Sequence, residues 1–355
     1  MTQAPATLEN EIKARAMSLG FSVCGITTAD PLTSHNEYVN WVSQGYHADM
    51  AYLASPFHLS RRQDPALLFP DLKSIIVLGL SYPLHELEKL DDQAIGLVSG
   101  YANGEDYHTR IPRMAEPLLE LISGLDINAP APRVFTDSAP VLERELAVRA
   151  GLGWIGRNSC LISPKIGPNL LLAEIFTGVH LKADLPYTGT HCGSCRRCID
   201  ACPTGCILPD RKIDASHCLS YHSIENKGAI PTAIMGKFGS WIFGCDICQM
   251  VCPWNNQGRP EFSNSQGKAL ELTVEEMLDL LELSPADFKP NFGKTAISRA
   301  GYIGFKRNLI IRLAILGEER MRDRLEKIEF TSEASVLMKT AVWAKELTAK
   351  KQSSG

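Results

Sequence analysis

Two runs of closely spaced cysteines constrain the fold of this chain more than any other feature of its sequence. The runs are Cys192-x2-Cys195-x2-Cys198-x3-Cys202-Pro203 and Cys245-x2-Cys248-x3-Cys252-Pro253. The first run has the spacing of bacterial ferredoxins, in which the fourth cysteine binds a second [4Fe–4S] cluster. The surrounding segment is rich in cysteine, proline and glycine and has little periodicity, so it needs bound metal to fold.

The cysteine count closes if Cys218, which lies between the two runs, completes the shorter second run. Each cluster then has four thiolate ligands, as a [4Fe–4S] cluster requires. The first predicted quartet is Cys192, Cys195, Cys198 and Cys252, and the second is Cys202, Cys218, Cys245 and Cys248. Two neighbouring clusters form an electron relay, so a group at one end of the relay accepts electrons.

Structural zinc is the alternative, because zinc sites also use paired CxxC motifs. Three cysteines at successive two-residue gaps, followed by Cys-Pro, favour iron–sulfur clusters over zinc. Of the eleven cysteines, Cys24, Cys160 and Cys206 are left over, and we interpret them as small buried apolar residues.

The composition is that of an ordinary globular protein, with 45% apolar and 21% charged residues in a chain of 355. A mainly disordered chain would have fewer apolar residues and a larger net charge than −4. No apolar run approaches the roughly 20 residues that cross a bilayer, and the N-terminal stretch lacks the apolar core of a signal peptide. We therefore expect a cytoplasmic protein without a membrane partner, in a compartment that keeps thiols reduced.

Alternating helix and strand patterns predict an α/β domain over residues 1–184. The predicted helices cover residues 9–20, 36–54, 112–125 and 138–150, and the predicted strands cover 21–26, 74–82, 133–136 and 169–177. Residues 185–260 form the loop-rich cluster segment. Helical patterns at 272–283, 298–316 and 318–349 predict a small all-α domain over 261–355, in which paired short helices would allow a helical-repeat module.

The stretch Gly151-Leu-Gly153-Trp-Ile-Gly156 matches the dinucleotide-binding pattern GxGxxG literally. That motif follows a strand and opens a helix, whereas here it follows the predicted helix that ends at Ala150. We therefore interpret the glycines as a turn, or as a place where the backbone approaches a large flat ligand.

Asp137 lies where a predicted strand ends and a predicted helix begins, which is the usual position of reactive groups in α/β folds. A second helix cap beside Ser138 is an equally good interpretation. If Asp137 donates a proton, burial under an apolar ligand must raise its pKa, because the helix N-terminus favours the carboxylate.

The C-terminal part of the chain is basic, with 14 basic and 8 acidic residues from Ser284 onward, and the remainder is acidic. The candidates for phosphate contacts in this segment are Lys294, Arg299, Lys306, Arg307 and Arg312. A solvated helix face is the alternative interpretation.

Several stretches together resemble the epoxyqueuosine reductases, a family of cobalamin-dependent iron–sulfur enzymes of tRNA queuosine synthesis. They are GYHADMAYL (45–53), RRQDP (61–65), YANGEDYH (101–108), TDSAPVLERELAVRAGLGWIGRNSCLISP (136–164), the two cysteine runs and GFKRN (304–308). They span nearly the whole chain, and their joint occurrence is far more specific than any one of them. The resemblance implies reduction of the epoxide of epoxyqueuosine, at the wobble position of certain tRNAs, to the alkene of queuosine.

The resemblance also implies which part of the chain does what. Residues 1–184 would bind cobalamin, the ferredoxin-like residues 185–260 would carry two [4Fe–4S] clusters that feed it electrons from a low-potential donor, and the HEAT-like residues 261–355 would bind tRNA. Asp137 would be the proton donor. The implied cobalamin contacts are Arg61, Tyr107, His108, Asp137, Asn158, Ser159 and Cys160, and the implied tRNA contacts are Lys294, Arg299, Lys306 and Arg307. A single flipped-out base is expected, because a base inside a stem cannot reach a buried cobalt.

Three alternatives stay open. A reductive dehalogenase also combines cobalamin with iron–sulfur clusters, but such enzymes usually carry an export signal and lack a basic helical tail. A ferredoxin-type electron carrier would leave the α/β domain and the block around Asp137 unexplained. The residues Asp106, Tyr107 and His108 could also be a polar loop cluster whose hydrogen bonds are satisfied internally.

Overall fold

The computed structural model describes residues 7–88, 95–255, 268–326 and 335–352. Its strands are β1 (Val23–Thr28), β2 (Ser74–Ser81), β3 (Ile95–Val98), β4 (Arg133–Phe135), β5 (Trp154–Ile155), β6 (Leu161–Ile162), β7 (Leu170–Thr177), β8 (Ile207–Leu208), β9 (Lys212–Ile213), β10 (Trp241–Phe243) and β11 (Glu271–Thr273). Its α-helices are α1 (Leu8–Ser18), α2 (His35–Ser43), α3 (Pro56–Gln63), α4 (Tyr107–Ser123), α5 (Glu143–Arg149), α6 (Arg197–Asp200), α7 (Leu219–Ile224), α8 (Thr232–Met235), α9 (Ile247–Met250), α10 (Val274–Glu282), α11 (Pro285–Phe292), α12 (Gly301–Leu316), α13 (Arg320–Glu326) and α14 (Ser335–Gln352). Among the described residues, no helix has both the length and the apolar character that a membrane crossing requires.

Four strands form the main sheet in the order β1-β2-β7-β4, and every neighbouring pair is antiparallel. Strand β2 reads SIIVLGLS and is buried over its whole length, as expected for an apolar strand that is covered on both faces. The prediction of a mixed α/β fold is confirmed. The antiparallel pairing means, however, that these strands are not joined by parallel βαβ crossovers.

Helices cover both faces of the main sheet. Side chains alternate along each strand, so successive residues pack into cores on opposite faces. On one face, Ile175 packs in the same core as α1 and α4. On the opposite face, Leu172 and Phe176 pack with Leu146 of α5. Glu174 lies between those two residues on β7 and is fully buried. Its carboxyl group therefore points into the core beneath α5.

A second sheet connects the three segments into which the sequence was divided. Strand β3 pairs in parallel with β10 and antiparallel with β11. Strand β10 comes from the cluster segment, and β11 comes from the C-terminal segment. Backbone hydrogen bonds thus cross both predicted boundaries, and the boundary at residue 260 itself lies outside the described residues.

Two helices near the site begin at positions other than those predicted. Helix α4 begins at Tyr107, ahead of the predicted start at Pro112, because the Asp106 side chain caps it by accepting from the backbone N–H of His108 at 3.0 Å. Helix α5 begins at Glu143, well after the predicted start at Ser138. The Ser138 hydroxyl accepts from the Thr136 N–H instead, so the residues around Asp137 form a loop.

Helix α12 corrects the interpretation of three basic residues as phosphate ligands. Lys306, Arg307 and Arg312 are 4%, 1% and 1% exposed. Arg307 donates to the carbonyls of His222, Asn226 and Gly228 at 2.5–2.8 Å. Arg312 donates to the carbonyls of Ile95 and Gly239, and the Lys306 ammonium lies 4.8 Å from the centre of the Tyr302 ring. A guanidinium that satisfies buried carbonyls is not available to a phosphate, so the prediction for Arg307 is wrong, and burial of Lys306 rules against a phosphate contact there as well.

Replacing Arg307 with methionine should therefore destabilise the fold. The change leaves carbonyl groups of the cluster segment buried without donors, which costs about 3 kcal/mol or more of unfolding free energy. Thermal denaturation of the cluster-loaded protein measures the loss. Lys294→Met is the matched control, because Lys294 is exposed, and it should leave the midpoint unchanged. Equal midpoints for both variants would contradict the structural role of Arg307.

Candidate active site and cluster region

An open cleft of about 1100 Å³ lies against the C-terminal end of β4, and we call it the Asp137 cleft. Its walls combine aromatic and charged residues, among them Arg62, Tyr101, Tyr107, His108, Phe135, Asp137, Cys218 and Arg299. Ligand sites for small molecules usually have volumes of about 300–1,000 Å³, so this cleft can admit a large cofactor or a nucleoside with its cofactor.

Asp137 projects into this cleft from a loop with unusual backbone geometry. Its φ is 49°, in the left-handed region that residues other than glycine rarely adopt. Its carboxylate oxygen Oδ2 accepts a hydrogen bond from the Tyr107 hydroxyl at 3.0 Å and lies 3.9 Å from His108 Nε2. The side chain is 72% exposed, so the carboxyl group is open to solvent, and a ligand that fills the cleft would bury it. The helix-cap interpretation is wrong, because α5 begins only at Glu143.

Tyr107 and His108 hold fixed orientations beside Asp137. Their rings stack with centroids 4.1 Å apart. His108 Nδ1 lies 2.7 Å from the Asp106 carboxylate, which leaves Nε2 facing Asp137. Burial, with a further contribution from the charge of Asp137, raises the pKa of Tyr107 far above its ordinary value. The phenol therefore keeps its proton and remains a hydrogen-bond donor to Asp137.

Two further carboxyl groups stand behind Asp137, and the sequence analysis assigned neither of them a role. Glu143 accepts a hydrogen bond from the backbone N–H of Asp137 at 2.8 Å. Removal from water, together with the charge of Asp137, raises the pKa of Glu143 to about 7. Burial, followed by the charge of Glu143 and then that of Asp137, raises the pKa of Glu174 well above its usual range. A single acidic residue inside the apolar strand sequence NLLLAEIFT was the signal for Glu174.

Four of the seven residues implied as cobalamin contacts do not line the Asp137 cleft. The guanidinium of Arg61 lies over the Phe57 ring at 3.7 Å, and its neighbour Arg62 lines the cleft instead. Asn158 donates to the carbonyl of Cys248, and Ser159 donates to the carbonyl of Arg211. Cys160 lies beside Cys248. Tyr107, His108 and Asp137 do line the cleft.

The eight cysteines predicted as ligands gather in two groups. Cys192, Cys195, Cys198 and Cys252 line one cavity of about 240 Å³, together with Asn158 and Trp254. In the second group, Cys202 and Cys218 lie close enough to Cys245 for their charges to raise the pKa of its thiol. The charges of Cys218 and Cys245 raise the pKa of the Cys248 thiol in the same way. Residues far apart in the chain thus approach one another, but no three His, Cys, Asp or Glu side chains of the described residues are already arranged around a metal position, so the two quartets stay a prediction. This donor set of converging thiols suits iron–sulfur clusters.

The three remaining cysteines differ in their surroundings. Burial raises the pKa of Cys24 to about 12, so it stays a neutral thiol, as expected of a small apolar residue. Cys206 is buried, with its sulfur 3.5 Å from that of Cys202. Cys160 is only half-buried and lies beside Cys248. Cys160 and Cys206 therefore border the second quartet without being part of the predicted ligand set.

The glycine motif at residues 151–156 forms a turn. A side chain at Gly153 would meet the carbonyl oxygen of Ile162 at 2.1 Å, and one at Gly151 would meet that of Leu185 at 2.8 Å. Close approach of one backbone segment to another thus requires glycine at both positions. Trp154 and Ile155 of the motif form β5, which pairs with β6, and the structure confirms that the motif is not the opening of a dinucleotide-binding helix.

The profile of the family described as epoxyqueuosine reductase QueG, DUF1730, matches residues 62–138, and that of the 4Fe-4S double cluster binding domain matches residues 191–255. The chain is 40% identical to the epoxyqueuosine reductase of Cyclobacterium marinum, over 84% of this chain and 94% of that protein. It is 37% identical to the epoxyqueuosine reductase of Pseudomonas aeruginosa, over 87% of this chain and 86% of that protein.

Solved structures agree with these relatives. The epoxyqueuosine reductase of Streptococcus thermophilus superposes with a TM-score of 0.84 at 29% identity, covering 97% of this chain and 91% of that one. An epoxyqueuosine reductase bound to an epoxyqueuosine-modified tRNA-Tyr stem loop superposes with a TM-score of 0.83 at 28% identity, covering 96% and 90%. The Bacillus subtilis reductase, with an aspartate-bearing catalytic loop swung out of the active site, gives the same TM-score of 0.83 at 28% identity, covering 96% and 90%.

Proposed function

This chain belongs to the epoxyqueuosine reductase family, and on that premise we propose that it reduces epoxyqueuosine to queuosine in tRNA. The observation that carries this proposal is the Asp137 cleft. Its wall contains the acidic side chain of Asp137 and also Cys218, a cysteine of the second predicted quartet. A proton source and an electron source thus border one space, as a reductive opening of an epoxide requires.

The cluster segment supplies the electrons. It matches a domain that binds two [4Fe–4S] clusters, and we assign the first cluster to Cys192, Cys195, Cys198 and Cys252 and the second to Cys202, Cys218, Cys245 and Cys248. The second quartet is then the one next to the cleft, because Cys218 lines it. Electrons from a low-potential donor would enter at the first cluster and leave from the second.

The Asp137 cleft has the size and the aromatic lining to hold cobalamin, which when bound would supply the carbon-directed reductant. Tyr101, Tyr107 and Phe135 offer flat apolar surfaces to such a macrocycle. Tyr107 orients the Asp137 carboxyl group through its hydroxyl, and a ligand that fills the cleft would exclude water from that group. Asp137 then delivers a proton to the oxygen of the opening epoxide. Contacts from Arg61, Asn158, Ser159 and Cys160 to the cofactor stay a prediction.

We further assign residues 1–184 to cofactor binding, 185–260 to the clusters and 261–355 to a HEAT-like tRNA-binding module. Lys294 and Arg299 are exposed, and Arg299 lines the Asp137 cleft with its guanidinium bound to Glu225 at 2.8–2.9 Å. The carbonyl of Lys294 accepts from the N–H of Asp106, the residue that caps α4. Arg299 thus lines the cleft that the wobble base would enter, and the backbone of Lys294 lies next to Asp106, another residue of the cleft wall.

Changing Lys294 and Arg299 together to glutamine should weaken binding of the tRNA stem loop and flatten its salt dependence. Each lost phosphate contact lowers the slope of log K against log[salt] by about 0.7–0.9. Titrations at several salt concentrations measure both quantities. The control is Lys339→Gln, an exposed lysine of α14 that does not line the cleft, and it should behave as the unmodified protein. An unchanged salt slope in the double variant would remove these residues from the tRNA surface.

Complementation tests the function as a whole. A bacterium that lacks its own epoxyqueuosine reductase accumulates epoxyqueuosine in tRNA, and expression of this chain should restore queuosine in its tRNA nucleosides. Persistence of epoxyqueuosine despite soluble, cluster-loaded protein would contradict the proposal and favour a plain electron carrier.

A further inference from the structure

The reduction needs more protons than Asp137 carries. Conversion of an epoxide to an alkene breaks both C–O bonds, forms the C=C bond, and releases the oxygen as water. It consumes two electrons and two protons. The electrons come from the clusters through the bound cofactor, and Asp137 holds one proton at a time. A second acid must therefore reload Asp137 or act in its place during each turnover.

We propose that Glu143 is this second acid, and that it passes its carboxyl proton to Asp137 after Asp137 has given up its own. This inference rests on the proposed function and deepens it. In the transfer, neutral Glu143 and the Asp137 carboxylate become the Glu143 carboxylate and neutral Asp137, so the step conserves charge and protons. Glu143 acts through Asp137 and is therefore a positioning and proton-supplying residue, without contact to the substrate.

The geometry ties the Glu143 side chain to the backbone of Asp137. Glu143 Oε1 accepts the backbone N–H of Asp137 at 2.8 Å, and that bond also holds residue 137 in its left-handed conformation with φ of 49°. Glu143 is the first residue of α5, so a short helix fixes its backbone beside the loop. A carboxyl group in this position follows the loop, because it is bound to the same residue whose side chain reacts.

The charges around Glu143 favour a proton on it near neutral pH. The groups that face it are Asp137 from its loop, Arg144 on its own helix, Arg62 from α3, Glu174 from β7 and Tyr107 from α4. Desolvation and the Asp137 charge raise the pKa of Glu143 to about 7, although the hydrogen bond from the Asp137 N–H and the charges of both arginines act to lower it. The negative charge of Asp137 disfavours a second negative charge on Glu143, which is why it raises the pKa of Glu143.

Glu174 determines the direction of transfer. It is 0% exposed, and within the described part of the chain neither of its carboxyl oxygens has a hydrogen-bond partner. A buried, unpartnered carboxyl group is stable only in its neutral form, which agrees with the upward shift of its pKa. Because Glu174 already carries a proton, it cannot accept one from Glu143. The proton of Glu143 therefore moves outward, toward Asp137 and the cleft.

The variant Glu143→Gln separates proton supply from loop support, because a glutamine side-chain oxygen still accepts the Asp137 N–H but the amide delivers no proton. In the holoenzyme with tRNA in excess, kcat should fall at least about tenfold, with KM for tRNA unchanged. The wild-type kcat should decline as the pH rises through about 7, where Glu143 loses its proton, and this decline should vanish in Glu143→Gln. Hydrogen exchange at the Asp137 amide should stay slow. Glu116→Gln, an exposed position of α4, is the matched control and should leave kcat and its pH profile unchanged.

An infrared measurement tests the inference without turnover. Cluster-loaded protein without tRNA should show a carboxylic-acid band that titrates near pH 7 in the wild type and in Glu116→Gln and that is missing in Glu143→Gln. Wild-type kcat and pH profile in Glu143→Gln would overturn the inference and move proton supply to His108. Absence of the titrating band would overturn it too. A wild-type enzyme that converts no epoxyqueuosine would instead contradict the proposed function, whatever the infrared titration shows.

Discussion

Replacing Asp137 with asparagine is expected to lower the turnover of epoxyqueuosine-containing tRNA on the order of 10²-fold or more, the usual scale for loss of a general acid. Asparagine keeps the shape of the side chain and can still accept the hydrogen bond that Tyr107 donates to Asp137 Oδ2 at 3.0 Å. It cannot deliver a proton. Asparagine also tolerates the left-handed conformation of residue 137, where φ is 49°. The loss should therefore come from the chemistry alone.

The comparison that makes this result informative is the state of the rest of the protein. Asp137→Asn should contain both clusters, bind cobalamin and bind the tRNA stem loop as the wild type does, since Asp137 is 72% exposed and no core packing depends on it. Single-turnover assays under anaerobic conditions measure the rate. A variant that reduces epoxyqueuosine at close to the wild-type rate would remove Asp137 as proton donor, and His108 would become the next candidate.

The second large effect concerns the ligand that closes the first cluster across the chain. Changing Cys252 to serine should lower the iron content from about eight to about four per chain and leave much less soluble protein, because metal binding and folding of this segment are coupled. The cavity that Cys252 lines together with Cys192, Cys195 and Cys198 is the reason. Iron analysis and electron paramagnetic resonance measure which cluster is lost. Tightly bound zinc in place of iron would contradict the assignment of clusters altogether.

Cys206 offers a sharp control for the second quartet. Its sulfur lies 3.5 Å from that of Cys202, yet the predicted ligand set uses Cys218. Cys218→Ser should remove the second cluster, whereas Cys206→Ser should leave about eight irons per chain. The reverse outcome would exchange the roles of these two cysteines and would detach the second cluster from the wall of the Asp137 cleft.

The features that the sequence predicted well depend on local spacing or on strong apolar patterns. Strand β2 follows from a continuous apolar run and helix α1 from its side-chain periodicity, and the double-cluster domain follows from the gaps between cysteines. The position of Asp137 at the end of a strand was also readable, because β4 ends two residues before it. What periodicity does not contain is the pairing of strands, so the antiparallel order of the main sheet came only from the structure.

At α12, the charge of the sequence alone gave a wrong prediction, because charge does not show whether a side chain is buried. Arg307 and Arg312 belong to a basic segment, but their guanidinium groups bind carbonyls of residues far away in the chain, and such tertiary partners leave no trace in local composition. Glu143 was missed for a related reason. It falls inside the predicted helix 138–150, and its significance arises only when the loop folds back and brings the Asp137 N–H to its side chain. Glu174 was detectable in principle, since an acid in an apolar strand needs an explanation.

The most direct test of the account is an anaerobic reaction of the purified, cluster-loaded protein with tRNA that contains epoxyqueuosine, a low-potential reductant and cobalamin, followed by mass analysis of the nucleosides. The account predicts that epoxyqueuosine disappears and queuosine appears, one oxygen atom lighter, only when tRNA, reductant and cobalamin are all present, and that Asp137→Asn gives almost none. Conversion without cobalamin, or no conversion by protein that has bound cobalamin and both clusters, would contradict it.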